Sequence, residues 1–360
     1  MSPMLKSVEK AGIRALRAKR NPADIKAQDF FSEMETLREE FAQLINAPDP
    51  KRIVLIPSVS YGMATVARNL NINKGQHIIV AAEQFPSNYY CWQTLCDETG
   101  AEIKSIQPPQ DLKDRGKKWN ERMLESINSN TRAVAIANTH WADGTKFDLE
   151  AIRKRTREVK ALLIIDGTQS VGALGFDIQK IQPDALVCAG YKWLLGPYST
   201  GLAYYGEYFN DGKPIEESWM NRLNAEDFSA LVNYQPKYQP GALRYEVGEH
   251  SNFNLVPMLI KSISQLKRWG TDNIQQYCAE ITRGPIEKLR ERGFWVEDER
   301  FRGAHLFGIR LPKGTDLKAV QESFARNKVV VSLRGDSVRV APNVYNDEND
   351  LKKLVKVLTR

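Results

Sequence analysis

Two side chains in this sequence are costly to bury. Lys192 stands in "CAGYKWLLG", after the apolar run "DALVC" and before Trp193, Leu194 and Leu195. Asp166 ends the apolar run "ALLIID" and is followed by "GTQSVG". A buried ion without a partner is strongly disfavoured, so each needs a compensating group or a shifted pKa. A lysine so placed either packs its stem on apolar neighbours and sends its head to water, or carries an amine of lowered pKa that acts as a nucleophile. An Asp and a Lys at the ends of nearby strands either form a salt bridge or hold opposite ends of one cofactor. In the second case the Asp keeps a ring nitrogen protonated while the Lys bonds to an aldehyde. The residues alone leave both readings open.

Other candidates also follow strands. After "RIVLI" comes "PSVSYGMATVARNL", where Ser58, Ser60 and Gly62 lead into a helix. Such a start holds a phosphate through free backbone N–H groups and the positive end of the helix dipole, or is plain capping. After "HIIVAAE" comes "QFPSNYYCW", which puts Phe85 at the mouth of the sheet, stacked on a flat ring or packed in the core.

These residues need a rigid scaffold, and the chain supplies one. From Asp29 to Ala47, apolar residues at Phe30, Met34, Leu37, Phe41 and Leu44 keep a helical period behind an Asp cap. Strands then alternate with helical segments: "RIVLI", "HIIVAAE", "AEIKSI", "AVAIANT", "ALLIID", "ALVCAG" and "GLAYYG". Several are continuously apolar, as strands covered on both faces should be, which predicts an α/β fold around a mainly parallel, seven-stranded sheet. Such sheets bind ligands beyond the carboxyl ends of their strands. Residues 207–250 lack periodicity and are rich in Tyr, Pro and Asn, so they are expected to cover a site or an interface. From Leu255 a helical pattern resumes, followed by strands near "FWVED", "AHLFGIRL", "VVVSL" and "SVRVA" and a closing helix "DENDLKKLVKVLTR". The expected division is an N-terminal helix or arm over 1–28 that joins the small domain, a large domain over 29–254, and a smaller α+β domain over 255–360.

Composition narrows the function classes. The 360 residues are 42% hydrophobic and 26% charged, and no apolar run is long enough for a membrane helix. Four cysteines without CxxC spacing and four scattered histidines predict reduced thiols and no metal site. The net charge of +7 is spread among acidic residues, which suits a site for an anionic ligand better than a nucleic-acid surface. The basic start "MSPMLKSVEKAGIRALRAKR" carries Glu9 and has no secretory apolar core, so a cytoplasmic helix is expected there.

The segment "IIDGTQSVGALGFDIQKIQPDALVCAGYKWLLGPYSTGLAYYG" resembles the centre of the class V, fold type I pyridoxal-phosphate enzymes. That group includes cysteine desulfurases, kynureninase, isopenicillin-N-epimerase-like proteins and several aminotransferases. The resemblance extends from "RIVLIPSVSYGMATVA" through "RYEVGEHSNF" to "SVRVAPNVYNDENDLKKL". It implies pyridoxal 5'-phosphate as cofactor, with Lys192 as the Schiff-base lysine and proton shuttle and Asp166 as partner of the pyridine nitrogen. Gln169 would meet the cofactor's phenolic oxygen, and Phe85 in "EQFPSN" would stack on its ring. Tyr191, Ser60 and Tyr61 match phosphate-binding positions, while Ala189 replaces the Ser of many relatives, so one phosphate contact is expected to be missing. His140 or Trp141, in "THWADG", matches a residue beside the cofactor's oxygen.

Arg339 in "RVAPNVYN" matches the residue that binds the substrate's α-carboxylate, and a guanidinium suits that planar anion. His250 or Ser251 matches a loop that reaches the neighbouring subunit's phosphate, which implies a homodimer with shared active sites. The stretch "VVVSLRGDSVRVAP" has no cysteine where desulfurases carry their nucleophile, so a desulfurase is disfavoured. Met1 stands almost at the "SPML" helix, which leaves either a substrate pocket without its usual lid or a start downstream of the true one. The reading is thus an enzyme acting at the α-carbon of an amino acid, first an aminotransferase, then a lyase or epimerase of the isopenicillin-N-epimerase-like type. The rival outside catalysis is a cofactor-free α/β binding protein that has kept the scaffold.

Overall fold

The computed structural model describes residues 1–335 and 337–359. Each of the seven apolar runs forms a strand: β1 (Ile53–Ile56), β2 (His77–Ala81), β3 (Glu102–Ile106), β4 (Thr131–Ala137), β5 (Leu162–Asp166), β6 (Ala185–Ala189) and β7 (Gly201–Tyr205). Their order across the sheet is β1-β7-β6-β5-β4-β2-β3. Strands β2 to β6 pair in parallel, whereas β7 runs against both β6 and β1. The reversal has a simple cause: only residues 190–200 separate β6 from β7, and a parallel return needs a crossover of a dozen residues or more.

Successive side chains of a strand point to opposite faces, so a continuously apolar strand feeds two cores at once. On one face Leu55, Ile79, Ile136, Ile165 and Leu186 join α2 (Asp29–Leu44), α5 (Arg115–Ser126) and α6 (Leu149–Glu158) through Phe41, Trp119 and Ile152. On the other, Ile56, Val80, Ala135, Ile164 and Val187 meet α3 (Val59–Asn69) and α4 (Tyr90–Thr99) through Met63 and Trp92. Helix α7 (Val256–Trp269) and the start of α8 (Thr271–Glu291) send Val256, Leu259, Ile263 and Cys278 into the first of these cores.

A third core lies under a four-stranded antiparallel sheet of β8 (Trp295–Val296), β9 (Phe307–Arg310), β10 (Ser332–Arg334) and β11 (Ser337–Val340), in the order β10-β11-β9-β8. It is closed by helices over Leu317–Arg326 and Glu348–Leu358, the second of which starts on a reciprocal capping box between Asp347 and Asp350. Strand β10 begins later than the run "VVVSL" predicts, and Val330 is exposed. The first helix, α1 (Lys6–Ala18), also starts late, because Leu5 is extended and Ser2 is bonded to Tyr191 O, just beyond β6. Residues 207–250 form no strand; they fold as short 3₁₀ turns pinned by buried Phe209 and Tyr245. Among the described residues no helix is long and apolar enough to cross a membrane.

Candidate active site

The Lys192 turn is held at both ends. Gly190 N donates to Thr200 O at 2.8 Å, Gly196 N donates back to Gly190 O at 2.8 Å, and Leu195 N reaches Lys192 O at 3.1 Å. A Cβ at position 190 would stand 2.7 Å from Thr200 Oγ1 and 2.8 Å from Thr200 O, so only glycine lets the two arms close. Leu195 takes the left-handed region at φ 55°, which costs a side-chain-bearing residue about 1–2 kcal/mol and marks a turn fixed by its surroundings.

This turn carries Lys192 Nζ to 5.2 Å from the centroid of the Phe85 ring and 5.9 Å from that of Tyr191. Among the described residues the amine makes no hydrogen bond or ion pair. Burial lowers its pKa; Asp166 pulls it back, and Arg339 and Arg334 push it down further. Asp166 ends β5, the strand beside β6, and Thr168 N donates to its Oδ1 at 2.9 Å. Burial raises the Asp166 carboxyl against the restraining bonds from Thr168 and the charge of Lys192. Neither group is neutralised by a close salt bridge, so burial drives both toward their uncharged forms.

Between them lies a cavity of about 300 Å³ lined by Ser58, Ser60, Phe85, Trp141, Asp166, Thr168, Gln169, Ala189, Tyr191, Lys192 and Thr200, among others. Its floor is the carboxyl end of the sheet, and one wall is the start of α3. There Ser58 caps the helix by accepting from Tyr61 N at 3.2 Å, and its Oγ lies 2.9 Å from Ser60 Oγ. Gly62 lets that helix settle on the sheet, since a Cβ would stand 2.7 Å from Val187 Cγ1. Ala189 also lines the cavity, its N–H given to Thr168 Oγ1 at 3.1 Å.

A second, more open cavity of about 620 Å³ shares Gln169 and Lys192 with the first and adds Trp193 and Arg339. Met1, Ser2 and Pro3 line it too, because Ser2 N and Oγ both donate to Tyr191 O at 3.2 Å. The N-terminal segment thus forms one side of this cavity. Arg339 Nη1 donates to Trp141 O at 2.7 Å, and its pKa is pushed down to about 10 by burial and then by Arg334.

Four of the expected residues, Tyr61, His140, His250 and Ser251, line neither of these two cavities. The Tyr61 side chain turns to Glu216, and burial together with that contact raises its pKa. His140 is buried behind the cavity, with Nε2 3.1 Å from Ala82 O and Nδ1 3.3 Å from Asp143 Oδ1, so of the pair in "THWADG" it is Trp141 that lines the site. His250 is 3% exposed and sits 3.5 Å from Glu246, which also binds Arg38. Its side chain is turned into its own chain, and the neighbouring Ser251 is half-buried. The pull of Glu246, four residues earlier, is not visible in a motif.

Two supporting residues were not legible in the sequence. His305 Nε2 lies 2.8 Å from Gln169 O while its Nδ1 lies 2.9 Å from Gln275 Nε2, an arrangement that fixes an Nε2–H donor toward Gln169. Burial lowers its pKa to about 4, so the ring is neutral. Asp143 accepts from Arg115 at 2.8 Å and from Thr145 N at 3.0 Å, and its backbone O takes Gly308 N of β9 at 2.7 Å, tying the Trp141 loop to the small sheet.

The arrangement fits a flat, nitrogen-containing ring that bears an aldehyde and a phosphate. A buried carboxylate has room for an N–H partner, an amine of lowered pKa stands at the other end, an aromatic face flanks the space, and a helix start with two hydroxyls closes it. The sequence pattern of the Aminotransferase class-V family matches residues 18–354. The chain is 24% identical to the uncharacterized aminotransferase YcbU of Bacillus subtilis over 91% of its length and 84% of that protein. It is 25% identical to a cysteine desulfurase of Enterobacter sp. (strain 638) over 71% of this chain and 61% of that one. Among solved structures, the apo cysteine desulfurase of Thermococcus onnurineus superposes with a TM-score of 0.83 at 20% identity, covering 99% of this chain and 92% of that one. The cystine C-S lyase C-DES, solved with cysteine persulfide, gives 0.84 at 16% identity over 99% and 94%. This chain belongs to the class-V aminotransferase family, whose cofactor is pyridoxal phosphate.

Proposed function

We propose that the protein is an aminotransferase that exchanges the amino group of an amino acid with a keto acid. The observation that carries this reading is the lining of the smaller cavity. Among the described residues there, Lys192 is the one amine or imidazole, with Asp166 the one carboxylate. A transamination needs a single base that takes a proton from the substrate's α-carbon and returns it nearby, and a lysine of lowered pKa suits that task. Pyridoxal phosphate, when bound, supplies an electron-withdrawing ring that stabilises negative charge at the α-carbon. Asp166 would keep the proton on the ring nitrogen, Phe85 would pack against the ring and Gln169 would meet its oxygen, since all three line the cavity. Ser58, Ser60 and the first N–H groups of α3 would hold the phosphate, and Arg339 would orient the substrate by its α-carboxylate.

A persulfide-forming reaction is not supported, because no cysteine lines either cavity among the described residues. The second reading is a lyase or epimerase, and one experiment separates them. The cofactor-loaded protein is incubated with an amino acid panel, with and without a keto acid acceptor. Keto acid formed only with an acceptor supports transamination; ammonia or pyruvate released without one overturns it. The reading includes a homodimer, supported by Trp219, Phe228, Val232 and Tyr234, which stay exposed on the 207–250 segment. A monomer by light scattering at full cofactor occupancy would refute that part.

A further inference from the structure

The antiparallel register of the small sheet places three arginines on one face. Ser332 of β10 stands opposite Arg339 of β11, and Arg334 stands opposite Ser337. Residues two apart share a face, and so do residues directly opposite, so Arg334 is the diagonal neighbour of Arg339. Ser337 pairs in turn with Arg310 of β9, which puts Arg310 on the same face. Arg310 lies 4.0 Å from the Asp143 carboxylate, and Arg339 gives an N–H to Trp141 O. Arg334 has no acidic partner among the described residues: its Nη1 donates to Leu333 O at 2.8 Å, and its Nε is buried without a hydrogen-bond acceptor.

The position of this guanidinium is set by Trp141. Arg334 Cζ stands 5.1 Å from the indole centroid and Arg339 Cζ 6.0 Å from the same centroid, so two cations share one ring that itself lines the cavity of Lys192. Both are near enough to depress the lysine amine, and Arg334 depresses Arg339. Like charges held together, with no acid between them among the described residues, repel, and the arrangement is relieved by anions. One substrate α-carboxylate answers Arg339 alone.

We infer that Arg334 is a second anion-binding residue of the substrate space, and that the substrate is an amino acid whose side chain ends in a carboxylate. The inference rests on the reading that Arg339 takes the α-carboxylate. Stacking on an aromatic face leaves the guanidinium edge open, and with Nη1 given to Leu333 O it is the Nε and Nη2 edge that remains for a planar anion such as a terminal carboxylate.

The test is a binding measurement that needs no turnover. The cofactor-loaded protein is titrated by calorimetry with succinate and glutarate, and with butyrate and pentanoate as chain-matched acids lacking the second carboxylate. The dicarboxylates bind about tenfold tighter or more, the scale of one charge-assisted pair. In Arg334→Gln that advantage disappears while affinity for the monocarboxylates stays within about twofold, and Arg334→Lys restores part of it. Equal affinity of the matched acids for the unaltered protein overturns the inference, with no variant needed. So does an advantage that survives in Arg334→Gln, or a loss there that is the same for both kinds of acid. Product analysis on the amino acid panel separates the two claims. Tight dicarboxylate binding with ammonia release keeps this inference and refutes transamination, while transamination without a dicarboxylate preference does the reverse.

Discussion

Replacing Asp143 by alanine tests whether the Trp141 loop is held by charge. The Asp143 side chain is 6% exposed and its partner Arg115 only 2%, and they meet at 2.8 Å. Removing one member of a buried ion pair leaves the other uncompensated, at about 3–5 kcal/mol, a large share of the roughly 5–15 kcal/mol that holds a domain together. Glu297, itself buried and attracted by Arg115, supplies part of the missing charge, which favours the lower end of the range. The loss is read as a shift in urea midpoint followed by tryptophan fluorescence. That probe is apt because Arg115 lies 4.8 Å from the Trp119 ring centroid and 6.0 Å from that of Trp295. The pH dependence adds a sign. Burial would raise the Asp143 carboxyl, yet His140 and Arg115 hold it well below the usual carboxylate range. A carboxyl depressed in the folded state stabilises fully above its unfolded pKa near 4 and loses that contribution as the pH falls below it. The gap between the unaltered protein and Asp143→Ala should therefore be full at neutral pH and narrow in acid. A shift worth less than about 1 kcal/mol, or a gap that widens in acid, refutes the reasoning.

Lys192→Ala should still take up cofactor through Asp166 and the start of α3 but lose about 10²- to 10⁴-fold in turnover, since a placed base is gone; absorbance and rate are measured on the same sample, and undiminished turnover removes the lysine from the mechanism. His305 has a folded pKa lowered to about 4 from 6.5, so its contribution to stability is complete above 6.5 and is lost as the pH falls toward 4. Melting temperature over that range should drop less steeply in His305→Gln than in the unaltered protein. Gly190→Ala forces a Cβ against the Thr200 main chain. It should cost about 1–3 kcal/mol and weaken cofactor retention on dialysis, because the turn that carries Lys192 cannot close.

The strands were legible because strands buried on both faces must be apolar throughout, and "ALLIID" and "ALVCAG" leave no other element that hides every side chain. Direction was not, since "GLAYYG" reads the same whether β7 runs with β6 or against it; the brevity of 190–200 was the available signal. Strand β10 was placed too early because "VVV" looks like core, whereas Val330 is at an edge with nothing to cover it. At the site, Lys192, Asp166, Gln169, Phe85 and Tyr191 surround one cavity because each follows a strand or lies in a turn between strands, where sequence order fixes position. Side-chain direction was less legible: His250 is drawn to Glu246 four residues earlier, and Tyr61 to Glu216 across the fold. Arg334 carries no motif, and only the pairing of β10 with β11 brings it beside Arg339.

The single reversed strand also has a consequence in time. The ladder partner of Ile53 is Tyr204, about 150 residues downstream, and β7 is the neighbour that joins β1 to the sheet. At a synthesis rate of roughly 5–20 residues per second, β1 waits about 8 to 30 seconds before its partner is made. Through that interval an apolar strand with unpaired backbone groups, and the α3 start that follows it, have no sheet to join. The nascent chain is therefore most prone to clump before Gly201–Tyr205 has left the ribosome, while the strand that joins β1 to the sheet is still missing.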